Sequence, residues 1–231
     1  MNSLQVADSF LVADGKVRGL ELHRQRFTDS CTALGVEAGA FFDEQVGRLP
    51  AFGRWFPRFE LKATGELGVQ LRPAPPQGDR IRVSVRRDPR TNPRVKGPDL
   101  EVLAELRAEA AAQDRADEIV LVDRDGIALE GGSSALVWWE DGVFCIPPST
   151  LPILPSVTAQ LLRRLATDRG VEVAERARMA AELADADEVW LVNALHGIRP
   201  VHAWADSAID PLPNSRSTPW QTHLNTLAQP V

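Results

Sequence analysis

Tyrosine is absent from this 231-residue sequence, and lysine and cysteine are scarce. Of the 26 basic side chains, 23 are arginines, and only Lys16, Lys62 and Lys96 are lysines. The two cysteines, Cys31 and Cys145, form no CxxC pair. This usage argues against a disulfide framework or a cysteine-based zinc site and is typical of a reducing compartment. We therefore predict a cytoplasmic protein.

Long apolar runs and an excess of positive charge are also missing. No segment approaches the roughly 20 apolar residues of a transmembrane helix, and the first residues carry no basic and apolar leader. The formal net charge is −6, which does not favour a nucleic acid or an anionic membrane as partner. The hydrophobic content of 44% suits one large or two modest globular domains. We predict no nucleic-acid partner and no membrane association, and a local basic pocket for a small anion stays open.

Turn signals and hydrophobic periodicity divide the chain into two predicted domains, at 1–89 and 90–231. The first domain is small and α+β. Its predicted elements are hairpins at Asp14-Gly15 and 64–66, helices at 21–34 and 40–49, and a strand at 80–87. The spacing predicts that Leu34 belongs to the buried face of the first helix and that Val85 points inward from the strand.

The second predicted domain is larger and carries the candidate site. Its predicted elements are a helix at 100–114, short strands between 118 and 146, a helix at 157–169 capped by Ser156, strands at 189–192 and 200–204, and a proline-rich tail. Asp-Gly pairs mark two of its hairpin turns. This alternation of short strands and helices predicts an α+β or α/β fold, not a doubly wound parallel sheet.

Lys96 lies between the two predicted domains. Arginine keeps its proton in proteins, whereas a desolvated lysine loses it and is suited to Schiff-base chemistry. A chain that otherwise selects arginine therefore has an unusual residue at this junction. Taken alone, a solvated loop lysine is the commoner explanation.

Other segments supply chemistry that would complement such a lysine. Glu130 ends a strand before a Gly-Gly-Ser-Ser turn, and the amides of a helix N-terminus at 156–158 form an anion site. Arg26 and the loop at Asn193-Ala194 add further donors. Each has an ordinary alternative, such as a turn carboxylate, a helix cap, a solvated helix face or a loop. Jointly they match the groups that hold pyridoxal phosphate.

The order of these segments resembles the class IV aminotransferases, which are the fold-type IV pyridoxal-phosphate enzymes. That family includes branched-chain aminotransferases, D-amino-acid aminotransferases and 4-amino-4-deoxychorismate lyases. The resemblance covers roughly residues 6–204. It is carried by LHRQRF at 22–27, Lys96 with the helix after it, ADE at 116–118, DRDG at 123–126, EGGSSAL at 130–136, ILPSVT at 153–158 and NALHGIRPV at 193–201.

The resemblance implies a role for each matching residue. Lys96 would be the catalytic lysine that forms a Schiff base with the cofactor aldehyde, and Glu130 would pair with the pyridine nitrogen. The residues implied at the cofactor phosphate are Arg26, Ser156, Val157, Thr158, Asn193 and Ala194. His196 and Arg199 are candidates for the substrate carboxylate. The resemblance also implies a small amino substrate and a homodimer.

Departures from the family pattern concern the substrate side of the site. Aminotransferases of the family have a tyrosine soon after the lysine, where this chain has Leu100 or a neighbour. The chain also begins some twenty or more residues later in the pattern, and it has Ser-Val-Thr at 156–158 in place of Gly-Ile-Thr. We therefore expect the two-domain fold-type IV architecture, similar to D-amino-acid aminotransferase, with a shortened N-terminal domain.

Three functions remain open on these observations. The first is a pyridoxal-phosphate enzyme, either a 4-amino-4-deoxychorismate lyase or a transaminase. The Asn-Ala-Leu loop at 193–195 resembles the lyases more than the branched-chain enzymes. The second is a relative that binds the cofactor without catalysis, and the third is an α/β binding protein without a cofactor.

Overall fold

The computed structural model describes residues 3–205, 207–208 and 215–231. Within these ranges the chain forms three sheets and five α-helices. The strands, in chain order, are β1 (Leu4–Ser9), β2 (Val12–Ala13), β3 (Lys16–Arg18), β4 (Arg54–Trp55), β5 (Arg58–Lys62), β6 (Leu67–Gln70), β7 (Ile81–Arg87), β8 (Glu118–Val122), β9 (Ala128–Gly131), β10 (Ala135–Glu140), β11 (Val143–Ile146), β12 (Val173–Glu175), β13 (Glu188–Asn193), β14 (Gly197–Trp204), β15 (Ser207–Ala208) and β16 (Ala228–Pro230).

The helices follow the predicted positions closely. They are α1 (Leu20–Thr32), α2 (Gly39–Val46), α3 (Leu100–Asp114), α4 (Val157–Asp168) and α5 (Ser217–Thr226), with a 3₁₀ turn at Glu182–Asp185. No helix among the described residues combines the length and apolarity needed to cross a membrane. Within the predicted proline-rich tail, residues 209–214 lie outside the described ranges.

The N-terminal part of the chain packs two small antiparallel sheets against α1 and α2. One sheet has the order β1-β5-β6, and the other has the order β16-β3-β2-β4. Phe10, Phe27, Phe42 and Phe59 form the centre of this core, with Phe42 and Phe59 stacked at 4.4 Å between ring centroids. These contacts fix α1 over β1, which positions the N-terminal side of the site.

The prediction that Leu34 is buried is wrong. Leu34 is 50% exposed, because α1 ends at Thr32 and the chain turns away at Gly35, which has φ of 78°. His23, Phe27 and Cys31 form the buried stripe instead. Their spacing of four residues is that of one helix face.

The second part is organised on a nine-stranded mixed sheet. Its strand order is β12-β11-β10-β13-β14-β7-β8-β9, and β15 pairs with β14. Alternate residues of the central strands face opposite sides, so Trp139 and Trp190 pack with α4 and α5 while Trp138 and Leu191 fill the other face. The parallel pairs are β7 with β14, β7 with β8, and β11 with β12.

Strand β7 departs from the predicted pattern. Val85 is 41% exposed and Ser84 is buried, so the prediction that Val85 points into the core is wrong. Pairing with β14 ends at Val83, and Ser84 turns towards α3, where its Oγ donates to Asp114 Oδ2 at 2.6 Å. Strand β7 lies on the N-terminal side of the boundary predicted at residue 89 but belongs to the nine-stranded sheet. The division at that residue stays a prediction.

Candidate active site

A cavity of about 580 Å³ lies where α1, the loop after β7, the end of β9 and the start of α4 meet. It gathers residues that are far apart in the sequence. All of the residues predicted to hold a cofactor line it, as does His196; they are Arg26, Lys96, Glu130, Ser156, Val157, Thr158, Asn193 and Ala194. Arg199 is not among the lining residues.

Lys96 lies in the loop between β7 and α3, pressed against β1. Its carbonyl accepts a hydrogen bond from the Ala7 amide at 2.6 Å. At Gly97 the value of φ is 146°, and a Cβ there would lie 2.9 Å from backbone atoms of Gln5 and Val6. Glycine is therefore required beside the lysine, because neither backbone can yield. This contact sets the position of Lys96 relative to β1.

The environment of Lys96 favours its uncharged amine. Burial lowers the pKa of Lys96, and the neighbouring Arg26 lowers it further. Asp8 and Glu130 oppose this change. A lysine with a lowered pKa provides a nucleophile and a proton acceptor near neutral pH.

Glu130 contributes a carboxylate of which only one oxygen has hydrogen-bond partners in the described part of the chain. Its Oε1 accepts from the Leu154 amide at 2.9 Å and from Arg90. Its Oε2 has no hydrogen-bond partner among the described residues. Burial raises the pKa of Glu130, and Arg90 opposes this. The remaining oxygen suits a protonated ring nitrogen, which would stabilise the ionised carboxylate.

Hydrogen-bond donors converge at the N-terminus of α4. Ser156 Oγ accepts from the Ala159 amide at 3.3 Å, so this serine is the helix cap. The amides of Val157 and Thr158 have no acceptor in the described part of the chain. Arg26 Nη1 donates to the Pro155 carbonyl at 3.1 Å, which brings the guanidinium to the same place. Together these groups form a site for a phosphate.

Asp8, which the sequence reasoning did not select, orders this end of the cavity. It is fully buried on β1 and accepts from Arg26 Nε at 2.8 Å, and its other oxygen lies 2.7 Å from His23 Nδ1. Burial alone would raise the pKa of Asp8, but Arg26 and His23 together hold it well below its ordinary range. The sequence feature that could have identified Asp8 is an aspartate within the otherwise apolar strand VADSF. Its partners lie in the following helix and are not evident from local pattern.

We predict that Asp8→Asn lowers the free energy of unfolding at pH 7 by about 3 kcal/mol, as expected when one member of a buried ion pair is removed. The folded-state pKa of Asp8 is lowered, so its stabilisation is complete above the unfolded pKa of about 4 and is lost as the pH falls further. The difference in the free energy of unfolding between Asp8→Asn and wild type should therefore become smaller at acid pH. Because the folded-state pKa of Asp8 is far below its ordinary range, urea unfolding at pH 7 and at about pH 2 measures it.

The matched control is Asp43→Asn, which breaks an exposed pair between Asp43 Oδ1 and Arg24 Nε at 2.7 Å. An exposed pair contributes at most about 1 kcal/mol. The assignment of Asp8 to a buried ion-pair network would be contradicted by either of two results. One is an equal decrease in the free energy of unfolding in both variants, and the other is a decrease in Asp8→Asn that does not depend on pH.

The loop after β13 is held by the side chain of Asn193. Its Oδ1 accepts from the amides of Leu195 at 3.1 Å and His196 at 2.8 Å, and its Nδ2 donates to Ser134 Oγ at 3.0 Å. The asparagine therefore shapes the turn that presents Ala194 to the cavity. His196 Nδ1 accepts from the Gly78 amide at 3.1 Å. Burial, with Arg199 nearby, lowers the pKa of His196 to about 4, so it is neutral at pH 7.

Arg199, predicted as a substrate contact, is directed elsewhere. Its Nη2 lies 3.3 Å from Ser134 Oγ and 3.9 Å from Glu118 Oε2. Four arginines that the sequence reasoning did not select line the cavity. Arg58 and Arg90 are paired with Glu60 and Asp88, and the other two are Arg72 and Arg107. Arg107 Nε lies 2.9 Å from Glu118 Oε1, so one carboxylate is close to both Arg107 and Arg199.

Arg72 is the arginine of this cavity that has no ion pair in the described part of the chain. Its Nε donates to the Phe56 carbonyl at 3.2 Å and its Nη2 to Ser9 Oγ at 3.4 Å. Burial and the neighbouring Arg58 lower the pKa of Arg72. Because arginine stays protonated, it presents a positive charge that an anionic group can neutralise.

Comparison with known proteins identifies relatives of this chain. The model of the amino-transferase class IV family matches residues 5–204. A Methanocaldococcus jannaschii protein named "Putative branched-chain-amino-acid aminotransferase" is 30% identical over 216 residues, which is 81% of this chain and 74% of that protein. The "Bifunctional aminodeoxychorismate lyase / D-amino acid transaminase" of Mycobacterium tuberculosis is 33% identical over 99 residues, which is 40% of this chain and 34% of that protein.

Solved structures have the same fold. One is the pyridoxal-phosphate-bound form of an aminotransferase from Mycobacterium tuberculosis, with a TM-score of 0.79 and 22% identity over 96% of this chain and 88% of that chain. The predicted fold-type IV architecture is thereby confirmed. From the family match over residues 5–204, the chain belongs to the class IV aminotransferases, which are pyridoxal-phosphate-dependent enzymes.

Proposed function

We propose that this protein acts on an amine that also carries carboxylate groups, and that its reaction is pyruvate elimination from 4-amino-4-deoxychorismate. The observation that carries the substrate class is Arg72, a cavity arginine that has no ion pair within the described residues. Arg107 and Arg199 share the one carboxylate of Glu118, which leaves a second positive charge beside the cavity. 4-Amino-4-deoxychorismate carries two carboxylates, which such a surface suits better than an aliphatic side chain. The loop at Asn193-Ala194-Leu195 and the lyase name of the second relative support the same choice.

Transamination is the second candidate. The relative that matches 81% of this chain is named for branched-chain amino acids. Both reactions begin with loss of a proton next to the substrate nitrogen, so the residues nearest the cofactor serve either one.

The cavity has residues suited to the phosphate, the ring nitrogen and the aldehyde carbon of pyridoxal phosphate. The phosphate would be held by Arg26 and by the α4 amides of Val157 and Thr158, with Ala194 on the facing loop. Glu130 would accept a hydrogen bond from the protonated ring nitrogen through Oε2, and Lys96 would bind the aldehyde carbon. The fit rests on Glu130 Oε2 and on the amides of Val157 and Thr158, which have no other partner in the described chain.

Each protein group then has a defined task. When bound, the cofactor supplies an electron sink for the pair left on the substrate carbon after proton loss. Lys96 takes that proton, because burial and Arg26 lower its pKa and favour the free amine. Glu130 keeps a proton on the ring nitrogen. Arg72 orients the substrate by binding a carboxylate, and His196, which is neutral at pH 7, adds no competing charge.

Turnover assays of the cofactor-loaded protein test the proposal. We expect 4-aminobenzoate and pyruvate in equal amounts from 4-amino-4-deoxychorismate. Keto-acid formation from L- or D-amino acids with 2-oxoglutarate or pyruvate, without 4-aminobenzoate, would support the second candidate. A protein that binds the cofactor but gives no product in either assay is a relative without catalysis, and the proposal would be wrong.

The homodimer implied by the resemblance remains a proposal, supported by the family match. Light scattering of the purified protein measures its mass directly. A cytoplasmic location likewise stays a prediction from cysteine usage.

A further inference from the structure

A second cavity, also of about 580 Å³, lies on the other side of His196 from the candidate active site. Strands β2, β3 and β4 form one wall, α5 forms another, and the segment 77–79 closes one side. His196 lines both cavities. The second cavity is therefore adjacent to the active site and distinct from it.

The charge of this second cavity is opposite to that of the whole chain. Lys16, Arg18 and Arg54 line it, whereas Asp79 is its one acidic lining residue in the described part of the chain. The neutral His196 adds no charge at pH 7. The local balance is thus +2, from three cations and one anion, on a chain whose net charge is −6. Such concentrated positive charge in a concave surface attracts anions.

Arg18 is held in place without a carboxylate. Its Nη1 donates to Asn225 Oδ1 at 3.0 Å and its Nη2 to the Ala194 carbonyl at 2.9 Å. Burial, with the charge of Arg54 close by, lowers the pKa of Arg18 to about 10. Neither arginine has an acidic partner within 4.0 Å among the described residues. Two mutually repelling guanidinium groups are stabilised when an anion binds between them.

Neutral polar groups of α5 complete the lining. Thr218 lies in the first turn of this 10-residue helix, and Gln221 and Asn225 follow on the same face at helical spacing. Gln221 Nε2 donates to Asn225 Oδ1 at 2.8 Å, which in turn accepts from Arg18.

We propose that this second cavity binds a small anion with two negative charges, of the phosphate monoester or dicarboxylate class, between Arg18 and Arg54. The ligand would contact α5 through Thr218. This site would be separate from the groups that hold the cofactor phosphate.

Arg18 also connects this site to the active site. The same guanidinium that would bind the anion holds the Ala194 carbonyl, and Ala194 lines the candidate active site. At Gly197 a Cβ would lie 2.9 Å from Arg18 Nη1, so the turn and the arginine are in close contact. An anion that shifts Arg18 therefore changes the loop, and the affinities of anion and cofactor change by the same factor.

Calorimetric titration of the cofactor-loaded protein with inorganic phosphate and, separately, succinate tests this site at constant ionic strength. Loading first with pyridoxal phosphate occupies the active-site phosphate cradle. We expect saturable binding that weakens about tenfold or more in Arg54→Gln, the loss expected for one charged hydrogen bond. Arg54→Lys, which keeps the charge, should bind more tightly than Arg54→Gln. If phosphate binds more tightly than succinate, the ligand belongs to the phosphate monoester class. If succinate binds more tightly, the ligand belongs to the dicarboxylate class.

Two control variants make the result specific. Arg124→Gln removes the same charge from a side chain that is 80% exposed and far from the cavity lining, and it should bind like wild type. Arg72→Gln changes the active site instead and should also retain binding. The proposal is overturned if no saturable binding occurs, if Arg54→Gln binds as wild type, or if Arg72→Gln abolishes binding. Arg54 is exposed on β4, so its replacement should leave the melting temperature equal to that of Arg124→Gln.

Discussion

Lys96→Ala is expected to reduce turnover by about 10⁴-fold or more, because it removes both the covalent attachment point and the proton acceptor. The cofactor-loaded wild type should be yellow and should lose its visible absorbance on treatment with borohydride. The variant should show no borohydride-stable attachment of cofactor to the protein. Mass spectrometry of the reduced protein measures the attachment, and product formation measures the rate.

Two further substitutions separate chemistry from charge. Lys96→Arg keeps a long basic side chain in the same loop, but it presents no free amine at neutral pH, so we expect it to be as inactive as the alanine variant. Lys62→Ala removes a lysine whose Nζ lies 3.0 Å from Glu66 Oε2 on the surface, and it should keep full activity. Attachment of the cofactor in Lys96→Ala would falsify the assignment.

Glu130→Gln is expected to reduce kcat by about 10²-fold or more, the scale found when one preorganised electrostatic contact to the reacting group is lost. The carboxylate stabilises a proton on the ring nitrogen, and the amide cannot do so with the same charge. The remaining oxygen still accepts from the Leu154 amide. The change is therefore confined to the charge and to the position of Oε2, where an NH2 donor replaces an acceptor. Single-turnover kinetics of proton removal measure the effect directly.

The free energy of unfolding is the control measurement for Glu130→Gln. Arg90 Nη2 remains 2.8 Å from Asp88 Oδ2, so the guanidinium keeps an ionic partner when Glu130 is neutral. We therefore expect the free energy of unfolding to change by about 1 kcal/mol or less. A large loss of stability together with unchanged proton removal would assign Glu130 a structural role.

Local chemistry accounts for much of what the sequence predicted correctly. Asp14 and Asp141 adopt φ of 48° and 53° in their Asp-Gly turns, as the hairpin signal required. Ser156 caps α4 through its own Oγ. These features depend on a few neighbouring residues, so sequence pattern is sufficient to predict them.

The two wrong core assignments have different causes. Leu34 continues the periodicity of α1, but the helix stops before it. Val85 alternates correctly with Val83, but β14 does not extend far enough to cover it. Periodicity reports which face a residue would take, whereas burial depends on what packs against that face.

The sequence alone determined the types of residue in the candidate site and their order along the chain. A rare lysine, a carboxylate at a strand end and a helix N-terminus matched the groups that hold pyridoxal phosphate. The resemblance to the class IV aminotransferases turned that match into a prediction, and the family match agrees. Only the tertiary structure decided which charged groups have partners. It joins Arg26 to Asp8, directs Arg199 towards Glu118, and leaves Arg72 in the cavity without an ion pair among the described residues. The reason is physical: an ion pair depends on proximity in space, and the sheet order brings together residues that no local pattern connects.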